Sequence, residues 1–194
     1  MAQEQQSQER RGTVAAPRLL ERYTQEILPK MMEMFGYKSP MEAPRPEKIV
    51  VSMGVGKARE DRRWLEGAMK DLATITGQWP KYTTAKHHIA GFRLRRGQRI
   101  GCVATIRGRR MYEFLDRLIN IAMPRIRDFR GVPRSAFDSR GNYSVGLSDQ
   151  YVFPEVDIDK SEGPQGMNVT VVIKNGSPEA SYELLKMFGM PFSD

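Results

Sequence analysis

Nine basic side chains and no acidic one occupy residues 81–110: Lys81, Lys86, Arg93, Arg95, Arg96, Arg99, Arg107, Arg109 and Arg110. With no carboxylate among them, these cations repel one another. The arrangement becomes favourable when a polyanion supplies the counter-charge and releases condensed ions. Gly91 and Gly108 bound much of the run, and Phe92 stands inside it. Asp128-Phe-Arg-Gly131 and Ser139-Arg-Gly-Asn-Tyr-Ser144 repeat the combination on a smaller scale. Arginine forks match phosphate oxygens, aromatic rings stack on bases, and glycine permits close approach. The competing reading is a solvated basic face with no partner.

Other chemistry finds little support in the residues. Met53-Gly-Val-Gly-Lys57 has the look of a phosphate loop, but Val51 stands where its first glycine is needed and Ala58 where Ser or Thr is needed. Its glycines then make a tight turn or let a partner's backbone come close. His87 and His88 are adjacent, so on a strand they would face opposite ways and could not share a metal ion. They read as polar contacts within the basic loop. Cys102 sits between apolar neighbours and reads as a small buried residue. No Gly-x-Ser-x-Gly elbow is present. Glu155, Asp157, Asp159 and Glu162 read as a solvated face or loop. A nuclease would need carboxylates beside the bases to hold metal ions, and the basic stretch has none. A DNA-reading helix is also disfavoured: Arg109-Arg110 open the pattern 110–122, but its next turns are apolar. The expectation is a protein without enzymatic activity, cofactor or metal.

The whole chain has 194 residues and a formal net charge of +8. That figure combines opposed regions: 81–110 carries +9, while 141–194 carries −5. Hydrophobic residues make up 40%, an ordinary globular share. No apolar run approaches the roughly 20 residues of a membrane span, so no membrane partner is expected. A single cysteine excludes an intramolecular disulfide framework. The polar start MAQEQQSQERRG does not read as a secretory signal. A cytoplasmic protein with an acidic partner is expected.

These residues must be positioned by a fold. Residues 1–16 read as a flexible tail, and 17–194 as a single domain. Leu20, Tyr23, Ile27, Met31, Met34 and Phe35 recur at helical spacing. Pro29 predicts a kink or shifted start, and Gly36 a stop. Residues 40–46, with Pro40, Pro44 and Pro46, read as an extended connector. Lys48 to Met53 predicts a buried strand. A helix is expected over 61–76, ended by Gly77. Strands are expected at 79–84 and 99–107, flanking the basic loop. An amphipathic helix follows over 110–122, closed by Pro124. Residues 125–141 show little periodicity. Strands are predicted at 143–147, 150–153 and 167–174, and a last helix at 178–188. Strands and helices mix without strict alternation. That predicts an α+β fold: a mainly antiparallel sheet, helices packed on one face, and a long basic loop between two strands. The second face would be free for a partner.

Several segments resemble the bacterial-type large-subunit ribosomal protein five family. They are KIVVSMGVGKA (48–58), LATITGQWP (72–80), the long run 85–131 that contains RMYEFLDRLINIAMPRIRDFRG, SRGNYSVG (139–146) and FPEVDIDK (153–160). The likeness extends from Leu19 to Phe192. It implies an α+β RNA-binding protein of the central protuberance that binds 5S rRNA. Carried over by position, the 5S contacts fall on Ser52, Met53, Gly54, Gln78, Thr83, Lys86, Thr105 and Arg107. The loop that reaches P-site tRNA maps onto Ile89, Ala90, Gly91, Phe92, Arg93, Leu94, Arg95, Arg96 and Gly97. A bridge to a small-subunit head protein maps onto Arg130, Arg134 and Arg140. Large-subunit rRNA and other central-protuberance proteins are the remaining implied partners. This chain has Ser52 where the family usually has asparagine, Trp79 where lysine is common, and His87-His88 where a basic residue and a serine are usual.

Overall fold

β-Branched residues prefer a pleated, half-buried surface, and the run Ile49-Val50-Val51 lies in the central strand of a five-stranded sheet. The computed structural model describes residues 16–193, so nearly all of the expected tail lies outside the described residues. The strands are β1 (Arg45–Gly54), β2 (Lys81–Thr84), β3 (Arg99–Ile106), β4 (Tyr143–Leu147) and β5 (Met167–Lys174). They run antiparallel in the order β2-β3-β1-β5-β4. The helices are α1 (Arg18–Arg22), α2 (Leu28–Phe35), α3 (Arg63–Thr76), α4 (Arg109–Arg117) and α5 (Pro178–Phe188). This is the expected α+β arrangement.

Side-chain alternation assigns the two faces. Ile49, Val51 and Met53 of β1, Cys102, Ala104 and Ile106 of β3, and Val169 and Val171 of β5 are buried together. Leu65, Leu72 and Ile75 of α3, Phe114 and Leu115 of α4, and Leu184 and Phe188 of α5 join the same cluster. Each fully buried side chain of this kind contributes about 1.5–3 kcal/mol. The helices therefore cover one face. The alternate positions Lys48, Val50, Ser52, Val103, Thr105, Thr170 and Val172 are half-buried, and Ser144 and Asn168 are exposed. Among the described residues, that second face carries no helix.

Two prolines shape the helices in the same way. Leu28 donates its N–H to the Tyr23 carbonyl, five residues back, immediately before Pro29. Met123 donates to Leu118 immediately before Pro124. A proline ring clashes with the carbonyl four residues earlier, and the widened π turn makes room for it. The helix expected over 110–122 therefore leaves α geometry at Leu118. Gly36 and Gly77 end α2 and α3 with φ of 68° at each, as their positions predict.

Two expectations are corrected. Strand β1 starts at Arg45, inside the predicted connector, because a register shift between Pro46 and Lys48 accommodates a residue without an N–H. The predicted strand 150–153 is instead a 3-10 turn, Gln150–Val152. Asp149 caps it by accepting from the Tyr151 N–H at 3.1 Å, a local bond that competes with ladder pairing. The buried Gln150 amide donates to Ser161 Oγ and the Gly163 carbonyl, both at 2.9 Å, and its Oε1 accepts from the Gln165 N–H at 2.6 Å.

The irregular segment 125–141 is tied to the C-terminal region. Val132 donates to the Pro191 carbonyl at 2.9 Å. Gly141 has φ of +74°, and a Cβ there would lie 2.9 Å from the Ser177 carbonyl oxygen. Gly141→Ala combines left-handed strain with a backbone clash and is expected to cost about 2–4 kcal/mol. The melting temperature should fall by roughly 5–15 °C. A thermal melt within about 2 °C of the parent would contradict this packing.

Candidate nucleic-acid interface

Register turns the helix-free face into rows. Ser144, Thr170, Val50 and Thr105 lie side by side across four strands. The next row runs Gly146, Asn168, Ser52, Val103 and Lys81 across all five. Ser144 and Thr170 hydroxyls share a hydrogen bond at 3.0 Å. A third row, Gly54, Gly101 and Thr83, is nearly bare of side chains. A Cβ on Gly101 would fall 2.5 Å from the Met53 carbonyl oxygen and 2.7 Å from Thr83 Oγ1. The face is lined by short side chains, polar at Ser52, Thr105, Asn168 and Thr170 and apolar at Val50 and Val103, and is open to a partner.

Of the residues mapped for 5S contact, Ser52, Thr83 and Thr105 share this face, and Gly54 is exposed at the end of β1. Arg107 follows β3 and Lys86 follows β2, both exposed. Gln78 is half-buried, and its side-chain N–H donates to the Thr105 carbonyl at 2.9 Å. Met53 does not belong with them as a side chain. It is 1% exposed and points into the core, because strand alternation sends it opposite to Ser52. Only its backbone is near the open face. Lys81, Ser144, Asn168 and Thr170 also line the surface, although none was mapped for 5S contact. Lys81 belongs to the acid-free basic stretch, and the other three are the polar half of the alternation in YSVGL and MNVTVVIK.

The basic loop is a closed hairpin extension between β2 and β3. Ala85 donates to the Gln98 carbonyl and Gly97 to the Ala85 carbonyl, each at 2.9 Å. Farther out, Ile89 and Leu94 exchange backbone bonds at 3.0 and 3.1 Å. Arg93 takes a left-handed conformation at the tip, φ 52°, and Phe92 is 63% exposed. The Arg59 guanidinium reaches across from the turn after β1, Gly56–Arg59, and donates to the Phe92 carbonyl and to the Gly56 carbonyl. Lys86, Arg93, Arg95 and Arg96 are exposed, and none has an ion-pair partner among the described residues. The nine loop positions mapped for tRNA thus form one projection.

Arg130, Arg134 and Arg140 are exposed on the irregular segment and belong to none of the sheet rows. The Arg134 guanidinium lies 4.1 Å over the Tyr182 ring of α5. Arg140 sits in a turn whose backbone N–H donates to Asp138 Oδ1 at 2.9 Å. The Asn142 side-chain amide, chiefly, and these backbone bonds hold Asp138 below the usual carboxylate range.

The remaining candidates do not form a reactive centre. Cys102 is fully buried, and burial, with the Asp71 charge adding to it, pushes its thiol up to about 12. His87 and His88 are both exposed. Glu155 pairs with Arg117, and Asp157 pairs with Lys160 at 2.9 Å. Among the described residues no three His, Cys, Asp or Glu side chains are placed to hold a metal ion, and no helix is long and apolar enough to cross a membrane.

Residues 39–95 match the family model described as ribosomal protein L5, and residues 99–192 match the model of that ribosomal family's C-terminus. A large ribosomal subunit protein uL5 from Syntrophomonas wolfei is 53% identical over 175 residues, covering 90% of this chain and 98% of its own length. The chain belongs to the ribosomal protein L5 family. Other uL5 relatives agree: that of Chloroflexus aurantiacus is 54% identical over 177 residues, covering 91% of this chain and 98% of its own. That of Carboxydothermus hydrogenoformans is 50% identical over 177 residues, covering 91% and 99%. The L5 family is one of ribosomal structural proteins, not of enzymes. Its two matched segments meet inside the basic loop, between residues 95 and 99. The sheet draws β1 and β2 from the first and β3, β4 and β5 from the second, so the loop projects from their junction.

Proposed function

We propose that this chain binds 5S rRNA on its open sheet face, in the central protuberance, and touches P-site tRNA with the hairpin 89–97. As an L5 family member it is a structural constituent of the large subunit of the cytoplasmic ribosome. The observation that carries the reading is the pairing of an open, largely polar sheet face with an adjoining hairpin that holds cations and no acid. RNA lies across polar rows that fix its register, while Arg and Lys at the rim neutralise phosphates. Large-subunit rRNA and neighbouring central-protuberance proteins supply the rest of its setting. Arg130, Arg134 and Arg140, which belong to none of the sheet rows, are the proposed contacts to a small-subunit head protein.

The direct test is a salt titration of 5S rRNA binding by the purified protein. The logarithm of the association constant should fall linearly with the logarithm of salt concentration, with a slope steeper than about −2. Protein in large subunits should be released by high salt. A shallow slope, or no 5S binding, would overturn the reading.

A further inference from the structure

Trp79 is 69% exposed, in the short connector between Gly77, which ends α3, and β2. The chain's other tryptophan has a different setting. Trp64 is half-buried, with Lys57 Nζ 4.0 Å over its ring and Gly163 packed closely on its edge. The Trp79 ring touches no other ring and no cation, and its indole N–H has no partner, among the described residues.

The connector holds this free ring beside the proposed RNA surface. Its neighbour Gln78 is bonded to the Thr105 carbonyl, which brings the connector against β3. Pro80 is buried behind it. Two residues on, Lys81 enters the row of Ser52 and Asn168. On the other side, the Arg110 guanidinium approaches the Gly77 carbonyl at 3.5 Å. The connector thus sets an exposed apolar ring in sequence between Lys81, which enters the sheet row, and Gly77, which Arg110 approaches.

A scattered exposed apolar side chain needs no explanation. An indole among unneutralised cations is different, because cations attract phosphates and bring bases with them. Every base presents a π-face, so stacking on an aromatic plate is available whatever the sequence. We infer that Trp79 is a base-stacking residue of the RNA interface, taking one unpaired nucleobase of the bound 5S rRNA. The inference rests on the 5S reading and adds to it a contact that contributes affinity without neutralising charge.

The test compares Trp79→Ala and Trp79→Phe with the parent, using 5S rRNA as the probe. Stacking on one aromatic residue corresponds to roughly a 5- to 150-fold change in dissociation constant, so Trp79→Ala should bind about tenfold more weakly. Trp79→Phe should stay within about threefold. The salt slope should be the same for all three, since no phosphate contact is lost. In a Trp64→Phe background, emission from Trp79 alone should be quenched and shielded from acrylamide by saturating 5S rRNA. Thermal melts should coincide, as the side chain faces solvent. If Trp79→Ala binds 5S rRNA like the parent, or Trp79 stays open to acrylamide in the complex, the inference is wrong. The same holds if Trp79→Ala impairs only incorporation into the large subunit, which would place a protein partner on the ring. If the parent does not bind 5S rRNA, the underlying reading fails and takes the inference with it.

Discussion

Replacing Arg93, Arg95 and Arg96 together by glutamine is expected to weaken P-site tRNA binding to reconstituted ribosomes by about 100-fold, on the basis of roughly 1 kcal/mol lost at each position where a charge-assisted contact becomes a neutral one. Binding of 5S rRNA should stay within about fivefold, because the hairpin lies beyond the sheet rows. The substitutions remove charge without dismantling the hairpin. Its path is held by backbone bonds between Ala85, Gly97 and Gln98, and between Ile89 and Leu94. The Arg59 guanidinium holds the tip through the Phe92 carbonyl, not through a side chain. Glutamine keeps most of the side-chain length and its polarity, so a loss of binding reports the missing charge. The measurement is tRNA affinity at several salt concentrations, in parallel with 5S affinity. The opposite outcome, 5S binding abolished and tRNA contact intact, would show that the hairpin faces the other RNA.

Much of this site was legible in the chain because its signals are local. The acid-free stretch 81–110 is visible as composition. The strands 143–147 and 167–174 follow from alternation, and both fall where predicted. Helix α5 spans Pro178–Phe188 as its pattern predicts. Position along a motif puts Met53 on the RNA side, although the alternation of Ile49, Val51 and Met53 already places it with the core. What could not be read was set by distant partners. Ser52, Asn168 and Lys81 come into one row only through strand register. Arg59 meets the Phe92 carbonyl across 33 positions. Gln150 leaves its apparent strand because its amide finds partners in residues 161–165, a burial requirement that no local pattern expresses. The π turns were half visible: Pro29 and Pro124 announce a disturbance, but not that the helix would widen and continue.

The largest effect on 5S binding is expected from Ser52→Glu. Ser52 occupies the middle of the row Gly146, Asn168, Ser52, Val103 and Lys81, on the central strand. A carboxylate there meets RNA phosphates at the centre of the face, away from the solvent-rich rim. Like charges juxtaposed in an interface cost several kcal/mol, so the dissociation constant should rise by at least about 100-fold. Ser52→Ala removes only a hydroxyl, and a neutral hydrogen bond contributes about 0.5–1.5 kcal/mol net, so its effect should be only about fivefold. Neither change touches the core side of β1, and both variants should melt within about 4 °C of the parent. Salt separates this effect from that of Trp79. Repulsion is screened, so the deficit of Ser52→Glu should narrow as ionic strength rises, while the stacking deficit of Trp79→Ala should not. Asn168→Glu, one strand over in the same row, should repeat the result if the whole face is the interface. Parent-like binding by both glutamate variants would move the RNA off the sheet and onto the hairpin and its flanking arginines alone.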